Sequence, residues 1–554
     1  MSRVPLVRSL TFTLLIATAR TVPGAAQGHD TAFAALITPG GFADDRTRIS
    51  SITSAGSAAY PLLRSSSSLA SRRGTGGHLF RAAILTPELY AIGNSALPYS
   101  LNDGALWAGR GFSYRIRAGI RAEAGPVRLI VAPEFLASDN LRFEMPHPRV
   151  RRPRPPGRDS LASPWHTTPE SIDYPIRFGT RAFSAWDPGQ STLDVRLGGA
   201  TIGLTAENEW WGPGIQNAIV MSTNAAGIPR LFVRPTRQIA TRAGTFDARL
   251  FAGGLRESPY FDSTASNDLR SISAFALAWT PPASPNVTIG FTRAVFAPVS
   301  SWGRVPTRLL DALIRFPGRP NNHLPDDTVV VPGPDQVFSL FGRWAFPGSG
   351  FEVYAEWARN EFPTSIRDFL TAPNHTQAYT LGLQWAQQVR PGGTARIQFE
   401  GTYLQKSATL RDRPVGIWYT SRAVTQGYTN RGQVIGAAIG PGANSQWFAL
   451  DYVARRWQAG VFASRIRWDD EALYTFPNTN FAGNPNKWCS HDTSVLFGLR
   501  GALQSFLGLL EVTYDVDQRL NVFFHNLSVC GRDMDPRDVR DAINHTIEIR
   551  FTPP

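Results

Sequence analysis

Alternating apolar and polar positions dominate the chain from Leu79 onward. Between residues 112 and 122, apolar positions at Tyr114, Ile116, Ala118 and Ile120 alternate with Arg115, Arg117, Gly119 and Arg121. The same alternation recurs in segments 394–405, 506–517 and 543–551. Side chains two residues apart on a β-strand lie on one face, so each segment predicts a strand with one apolar and one polar face.

Short and long connections alternate between these segments. Short turns are predicted at Pro347–Gly350, Arg390–Gly393, Arg455–Arg456 and Leu503–Ser505, and long polar stretches at 360–377, 406–445, 469–493 and 518–542. Eighteen strands are predicted, at 79–90, 112–122, 126–134, 176–186, 193–204, 229–238, 245–255, 270–280, 286–296, 336–346, 351–359, 378–388, 394–405, 446–453, 457–468, 494–502, 506–517 and 543–551. The apolar runs Gly416–Tyr419 and Val434–Ile439 are candidates for one more hairpin. Alternating loop lengths and an even strand count are typical of outer-membrane barrels.

The alternation by itself fits either a soluble β-sandwich or a transmembrane β-barrel. Many strands are about ten residues long, which matches a tilted membrane crossing. No segment after the N-terminus approaches the roughly 18 consecutive apolar residues of a membrane helix. Arginine on a lipid-facing surface costs about 2–4 kcal/mol at the bilayer midplane. A barrel therefore predicts that the arginine faces line the lumen, with lumen-lining residues Arg115, Arg117, Arg121 and Arg396.

The N-terminus has the pattern of an export signal. Arg3 and Arg8 precede an apolar run from Leu10 to Ala19, and the small residues 24–26 offer a cleavage site. We therefore expect a signal peptide at 1–26, with a plain disordered terminus as the alternative. Residues 27–77 are predicted to be an N-terminal periplasmic segment, partly helical or disordered, and residues 78–554 the barrel.

Arginine supplies nearly all of the positive charge. Only two of the 56 basic residues are lysines, and the formal net charge is +13. Such a charge suits nucleic acid, anionic lipid headgroups or an acidic polysaccharide. Export argues against nucleic acid, which leaves the cell surface and its polymers as the expected partners.

Two segments combine tight turns with unusual residue pairs. The segment 207–235 runs ENEWWGPGIQNAIVMSTNAAGIPRLFVRP, in which Trp210 and Trp211 lead into the sharp turn Gly212-Pro213-Gly214. The segment 101–111 runs LNDGALWAGRG, and its residues Asn102, Asp103 and Gly104 predict a second turn. Tryptophans near strand ends, which suit the aromatic girdles of a barrel, are Trp107, Trp186, Trp279, Trp385 and Trp468.

These segments resemble the capsule assembly protein Wzi family, outer-membrane β-barrels that hold capsular polysaccharide on the cell surface. The matching positions are Trp211, Gly212, Pro213, Gly214, Asn224, Ala225 and Pro229. Ile215 departs from the aromatic residue expected after the glycine. The resemblance implies an all-β transmembrane barrel of about 18 strands, preceded by a helical element.

Loop 205–228 is the first candidate carbohydrate site. Indole rings stack on the C–H faces of pyranose rings, so Trp210 and Trp211 could hold a sugar while Asn208, Asn217 and Asn224 bind its hydroxyl groups. The alternative is that the paired tryptophans pack the loop against the barrel wall. The sequence leaves both roles open.

A second candidate is the proline-rich loop 145–159. Its five arginines would be presented to solvent on an extended chain and could bind carboxylate or phosphate groups of an acidic polymer. They are Arg149, Arg151, Arg152, Arg154 and Arg158. The alternative is a solvated loop that touches lipopolysaccharide phosphates. The two cysteines, Cys489 and Cys530, fall in long loops on the same predicted side and suggest a disulfide in an exported chain.

No catalytic motif was found, whether of a zinc protease, a phosphate-binding loop, a serine hydrolase or a paired-cysteine site. The nine histidines are scattered without metal-site spacing. We therefore expect a monomeric, non-enzymatic outer-membrane protein without cofactor or metal. It would bind or anchor capsular or other acidic polysaccharide and contact outer-membrane lipid and lipopolysaccharide. The alternative functions are a porin-like channel for anionic solutes and a soluble exported β-protein.

Overall fold

The computed structural model describes most of the chain from Thr31 to Pro554. The residues outside the description are 1–30, 55–59, 71–79, 146–160, 162, 164–165, 167–170, 263, 316–332, 364, 391, 412–414, 471–490 and 525–539. The α-helices are α1 (Thr31–Ala34), α2 (Phe42–Thr53), α3 (Ser66–Ala70), α4 (Asp311–Ile314) and α5 (Ile366–Thr371). Short 3-10 helices lie at Trp302–Arg304, Pro306–Arg308, Ala408–Arg411 and Val522–Phe524. None of the helices in the described ranges is long and apolar enough to cross a membrane.

Most of the described chain is β-strand. The strands are β1 (Leu63–Ser65), β2 (Phe80–Asn94), β3 (Gly111–Ala124), β4 (Val127–Val131), β5 (Glu134–Ser138), β6 (Phe183–Asp187), β7 (Thr192–Leu197), β8 (Ala200–Thr205), β9 (Glu209–Trp211), β10 (Arg230–Pro235), β11 (Ile239–Thr241), β12 (Gly244–Arg256), β13 (Leu269–Thr280), β14 (Val287–Pro298), β15 (Asp335–Phe346), β16 (Phe351–Asn360), β17 (Gln377–Arg390), β18 (Gly393–Tyr403), β19 (Thr429–Asn430), β20 (Gln433–Val434), β21 (Asn444–Ala454), β22 (Trp457–Arg467), β23 (Thr493–Ser505), β24 (Gly508–Leu520) and β25 (Ala542–Thr552).

The long strands form one closed antiparallel barrel. Each pairs with its neighbour in sequence, and β2 pairs with β25 to close the ring. Three crossings of the wall are interrupted, so that each consists of two strands. These crossings are formed by β4 with β5, by β6 with β7, and by β10 with β11. Pro133 and Pro188 lie at two of the interruptions and have no N–H to donate to a ladder. The barrel has eighteen strands, which confirms the predicted count and fold class.

The two faces of the wall distinguish a barrel from a sandwich. On β3, Ile116 is 43% exposed and Ile120 is 48% exposed, whereas Arg115, Arg117 and Arg121 are buried. A sandwich would bury the isoleucines instead. The apolar face therefore points outward, as in a transmembrane barrel, and the arginines face the lumen.

The connections divide the barrel into two ends. Short turns such as 347–350 and 455–456 lie at the end that we call the short-turn end, and the long connections lie at the opposite, long-loop end. In outer-membrane barrels, short turns face the periplasm and long loops face the outside. The predicted strand 193–204 was wrong, because Gly198 and Gly199 form a turn between β7 and β8, with Gly198 at φ 59°. The predicted strand at 176–186 begins only at Phe183.

The lumen is filled by chain segments that we call the plug. The plug consists of the described residues within 31–70, 205–229 and 415–443. Strand β1 pairs with β9 inside the barrel, and β19 pairs with β20 in a small separate hairpin. The runs Gly416–Tyr419 and Val434–Ile439 therefore belong to the plug and add no strand to the wall. Their buried side chains form a hydrophobic core with Trp211, Ile219 and Tyr428.

Candidate functional site

The two unusual segments of the sequence meet inside the barrel. The Asn102 backbone N–H donates to Asn224 Oδ1 at 3.2 Å, and Asn102 Nδ2 donates to the Gln216 carbonyl at 3.0 Å. The Gly104 N–H donates to the Thr223 carbonyl at 2.8 Å. Asn102 (φ 62°) and Gly104 (φ 69°) both adopt the left-handed region, as the turn Asn102-Asp103-Gly104 requires. The turn thus joins the first loop of the barrel to the plug.

One wall carboxylate anchors the plug loop. Glu400 on β18 accepts hydrogen bonds from the backbone N–H groups of Ile215 (2.5 Å), Gln216 (3.0 Å) and Asn217 (2.8 Å). The Tyr354 hydroxyl donates to the same carboxylate at 2.7 Å. Because three consecutive N–H groups point at one buried acceptor, the loop after Gly212-Pro213-Gly214 is held against the wall.

The turn before this anchor requires its glycines. Gly212 has φ 107°, which side-chain-bearing residues rarely adopt. A Cβ on Gly214 would lie 1.8 Å from the carbonyl oxygen of Asn217. The Gly-Pro-Gly turn is therefore needed for the close passage of the loop over itself.

Both tryptophans of the motif are buried in the plug. Trp211 is 0% exposed, its ring centre lies 5.7 Å from that of Phe251, and its Nε1 donates to Glu209 at 2.5 Å. Trp210 Nε1 donates to the Gly214 carbonyl at 3.1 Å, and the guanidinium of Arg64 lies over the Trp210 ring at 5.7 Å. Trp211 is fully enclosed, whereas Trp210, at 3% exposure, also lines a cavity in the lumen. The sequence left open whether the two tryptophans bind sugar or pack the loop against the wall. Their burial in the plug favours packing.

The three candidate asparagines hold the plug together. Asn208 Nδ2 donates to the Ala225 carbonyl at 2.8 Å, and Asn224 Nδ2 donates to the Val434 carbonyl at 2.9 Å. Asn217 Nδ2 makes a longer bond to Ser445 Oγ at 3.3 Å. Their amides therefore connect the plug loop internally and to the wall, although Asn224 also lines a cavity at the long-loop end.

Two groups of predicted residues lie outside the described residues. The first is the set of candidate polymer-binding arginines, Arg149, Arg151, Arg152, Arg154 and Arg158. The second is the cysteine pair, Cys489 and Cys530. Both remain predictions.

The predicted lumen-lining arginines are paired with carboxylates. Arg115 and Arg117 contact Glu88 at 3.0 and 2.9 Å. Arg121 contacts Glu123 at 2.6 Å, and Arg396 contacts Asp45 of α2 at 2.6 Å and Asp451 at 3.1 Å. Burial disfavours the charged form of Asp45, but the Arg396 guanidinium outweighs burial and lowers the pKa of this carboxyl. The contact of Arg396 with Asp45 ties the N-terminal helix to the wall.

A cavity opens at the long-loop end, where loops from distant parts of the chain converge. We call it the mouth cavity; it has a volume of about 140 Å³. Its aromatic lining consists of Tyr99, Trp107, Tyr174, Trp468, Phe523 and Phe524. Tyr99 and Trp468 meet edge to face with ring centres 6.4 Å apart. Aromatic side chains with a few fixed polar groups are the usual lining of a ligand site.

The polar groups of the mouth cavity are oriented by neighbouring charges. Arg519 donates to both oxygens of Asp492 at 2.7 and 2.6 Å, and its guanidinium lies over Trp468 at 5.4 Å. Asp469 contacts His166 Nε2 at 2.7 Å. Burial raises the pKa of Asp469 and of Asp492, although His166 and Arg519 act in the opposite direction. The cavity therefore offers rigid hydrogen-bonding groups beside aromatic rings.

A second cavity extends from the mouth cavity toward the short-turn end. We call it the lumen cavity; it has a volume of about 350 Å³ and lies between the plug and the wall strands β21–β25, β2 and β3. Tyr99, Leu101, Ala438 and Ile439 line both cavities. Its other lining residues are largely polar, among them Thr513, Asp515 and Glu548. These four shared residues therefore form the boundary between the two spaces.

The sequence missed the mouth cavity, because its residues come from at least five separate segments. Trp107 and Trp468 were expected in the interfacial girdle, but Trp107 stacks on Phe178 at 4.7 Å and Trp468 lines the cavity. Trp186 and Trp385 are exposed, as a girdle requires. Position near a strand end was the only available signal, and it does not distinguish a girdle from a loop-built site. In the described part of the chain, no cluster of three or more His, Cys, Asp or Glu side chains could hold a metal ion.

No family model matches this sequence, and no curated protein matches it either. Among solved structures, the barrel is similar to Wzi, an outer-membrane protein involved in group 1 capsule assembly in Escherichia coli and described as a carbohydrate-binding β-barrel. The TM-score is 0.50 at 9% identity, over 84% of each chain. Acinetobacter baumannii OccAB2 and Pseudomonas aeruginosa OccK2 match with TM-scores of 0.38 at 9% identity, over 84% and 86% of this chain and 97% of each of theirs. At such identity the likeness to Wzi shows the fold, an outer-membrane-type β-barrel.

Proposed function

We propose that this protein is a non-enzymatic surface receptor that binds capsular or related polysaccharide at its long-loop end and so retains the polymer on the cell. The observation that carries the proposal is the mouth cavity, in which Tyr99, Trp107, Tyr174 and Trp468 lie beside Asp469, Asp492 and Asn224. Trp210 and Trp211, which first suggested sugar binding, are buried in the plug, so the proposal places the sugar in the mouth cavity.

The chemistry of the mouth cavity suits a hydroxylated ring. Aromatic side chains bury the C–H face of a sugar, while carboxylates and amides accept and donate hydrogen bonds to its hydroxyl groups. The cavity is small, so each contact with the polymer is expected to be weak. A long repeating polymer compensates for this, because many barrels on one cell engage the same chain.

The plug is consistent with a receptor. Helix α2 and the two long loops occupy the space that an open pore would need, and Glu352 ties Arg48 and Arg343 together beneath them. A site formed on such a rigid base keeps its shape without ligand, which lowers the entropic cost of binding. Within the same proposal, residues 1–26 are an export signal, and the monomeric barrel contacts outer-membrane lipid and lipopolysaccharide.

Replacing Trp468 tests the site. Trp468→Ala should weaken binding of oligosaccharides released from the cell's own capsule by at least about tenfold, because central aromatic contacts dominate such sites. Isothermal titration with the purified barrel measures the affinity, and shedding of polymer into the medium measures retention on cells. Trp302→Ala is the matched control, because Trp302 is an exposed loop tryptophan that does not line the cavity. Equal binding by both variants and the parent would refute the mouth cavity as the site.

A second candidate is a narrow channel. The observation in its favour is the boundary shared by the mouth and lumen cavities at Tyr99, Leu101, Ala438 and Ile439. Anion selectivity was expected from four lumen arginines, Arg115, Arg117, Arg121 and Arg396, but each of these four contacts a carboxylate. Conductance in planar bilayers distinguishes the functions: a steady current in the parent barrel supports a channel, and a sealed barrel supports a receptor. Glu400→Ala serves as the positive control, because it removes the acceptor that holds three N–H groups of the plug loop.

A further inference from the structure

A cavity at the short-turn end has a strongly basic lining. We call it the basic cavity; it has a volume of about 470 Å³ and lies between the plug and the wall strands β4, β7, β8, β10 and β12. Asp247 is its only acidic lining residue among those described. Its arginines are Arg128, Arg196, Arg234, Arg237 and Arg249.

Three of these arginines are neutralised by neighbouring carboxylates. Arg128 Nε donates to Asp194 at 2.9 Å, and Arg249 donates to Asp247 at 2.6 Å. Arg196 contacts Glu123 at 3.3 Å, a carboxylate that it shares with Arg121. These ion pairs neutralise three of the five arginines. The remaining positive charge of the lining comes from Arg234 and Arg237.

Arg234 is buried, and the nearby carboxylates of Glu207 and Asp194 favour its charge without forming an ion pair with it. It is 7% exposed, and its guanidinium donates to Ser67 Oγ at 3.2 Å. Among the described residues, no carboxylate forms an ion pair with it. A buried charge without a counterion costs several kcal/mol. The cost falls if an anion enters the cavity, because guanidinium groups bind carboxylate and phosphate oxygens in pairs.

The adjacent sequence offers no carboxylate that could take this place. Residues 71–79, which follow helix α3, contain two more arginines and neither aspartate nor glutamate. Ser68 and Leu69 of α3 line the cavity. Arg237 is exposed at the rim of the cavity. An anion from solution would therefore meet a cation at the rim before it reached Arg234.

We propose that the basic cavity binds a small oxyanion of the phosphate or carboxylate class at the short-turn end of the barrel. Arg234 supplies the principal contact to the anion, and Arg237 attracts the anion to the cavity. Arg128 and Arg249, which are held by their carboxylates, lie beside the bound anion. This site lies at the opposite end from the mouth cavity, so it goes beyond polysaccharide binding there. If the proposal for one site fails its test, the proposal for the other site can still be tested.

Titration of inorganic phosphate into the purified full-length barrel, in a nonionic detergent at fixed chloride concentration, tests the site. Arg234→Gln should weaken phosphate binding at least about tenfold, because it removes a charged hydrogen-bond donor. The matched control is Arg293→Gln. Arg293 is similarly buried and also lacks an ion-paired carboxylate among the described residues, but it donates to Gln336 and to the carbonyls of Ala312 and Arg315. The control should bind phosphate as the parent does.

A second variant keeps the test decisive if Arg234→Gln fails to fold. Gln238 lies exposed on the cavity lining, and Gln238→Glu adds a carboxylate there with little change in shape. Phosphate affinity should fall in this variant. The unheated variant should keep the gel mobility of the folded parent, which shows that the barrel is intact. Titration with glucuronate distinguishes the source of the oxyanion: tighter glucuronate binding assigns the site to sugar acids, and tighter phosphate binding assigns it to phosphates. Absence of binding by both ligands, or phosphate binding unchanged in Arg234→Gln and Gln238→Glu, would overturn the proposal.

Discussion

Strands β13 and β24 cross the wall on opposite sides of the barrel, and their inner faces differ. The inward residues of β13 include Ile272, Ala274, Ala276 and Ala278, all of which belong to the buried core of the plug. The inward residues of β24 include Glu511, Thr513 and Asp515, all of which line the lumen cavity. Their outward faces are alike, with Leu277 on β13 and Leu510 on β24.

The difference shows why the plug sits to one side of the lumen. Small apolar side chains on β13 and its neighbours let Trp211, Ile219 and Tyr428 pack closely against the wall. Phe296 of β14 meets Tyr428 with ring centres 5.3 Å apart. The inward side chains of β24 and β25 are polar or charged and do not join the apolar core of the plug, and the lumen cavity lies beside them. The type of inward residue, rather than the barrel itself, decides where the lumen is dry.

The largest expected effect comes from placing the same side chain on the two inner faces. Ala274→Gln should lower the free energy of unfolding by about 3 kcal/mol or more, because it overpacks a dry core and buries an unpaired amide. Thr513→Gln should change it by no more than about 0.5 kcal/mol, because the cavity can hydrate the amide. Urea unfolding from lipid vesicles measures both values. Equal losses would show that the two faces are packed alike.

An effect of similar size should appear equally on both sides, because it concerns the outer face of the wall. Leu340 on β15 and Leu499 on β23 are 48% and 58% exposed near the middle of their strands. Leu340→Arg and Leu499→Arg should each cost about 2–4 kcal/mol of unfolding free energy in a bilayer. The conservative variants Leu340→Phe and Leu499→Phe should behave as the parent does. A loss confined to one side would mean that only that side faces lipid.

The smallest effect is a local dependence on pH beside the packed side of the lumen. Glu257, just after β12, accepts a hydrogen bond from Gln426 of the plug, and burial raises its pKa from 4.5 to about 8, with Asp262 and Asp173 adding to the shift. The folded state thus retains a proton that the unfolded state loses. The stabilisation is complete below pH 4.5 and is lost as the pH rises through about 8.

Hydrogen exchange of the loop 256–269, corrected for its intrinsic pH dependence, measures this effect. Protection should be lower at pH 9 than at pH 6 in the parent, because burial and the nearby Asp262 and Asp173 disfavour the ionised carboxylate. Glu257→Gln should be protected equally at both values. Parent protection that does not change with pH would mean that Glu257 titrates normally.

Much of the wall followed from the alternation of side chains. The period of two predicted the strand count and the inward direction of Arg115, Arg117 and Arg121, because lipid tolerates one face of such a strand and not the other. The prediction failed at 193–204, where Gly198 allows a turn inside a segment that otherwise alternates. The pair Gly198-Gly199 is itself a signal for a two-residue hairpin turn, and the alternation on both sides of it was given more weight.

What the sequence determined by itself is therefore the barrel, since each strand carries its own evidence of which face meets lipid. The tertiary structure alone decided that Trp210 and Trp211 are buried, that Tyr99 and Trp468 share a cavity, and that Arg234 forms no ion pair with a carboxylate in the described part of the chain. Those facts depend on contacts between residues far apart in the chain. A side chain's burial in a closed lumen is set by what else enters that lumen, and no local period records it.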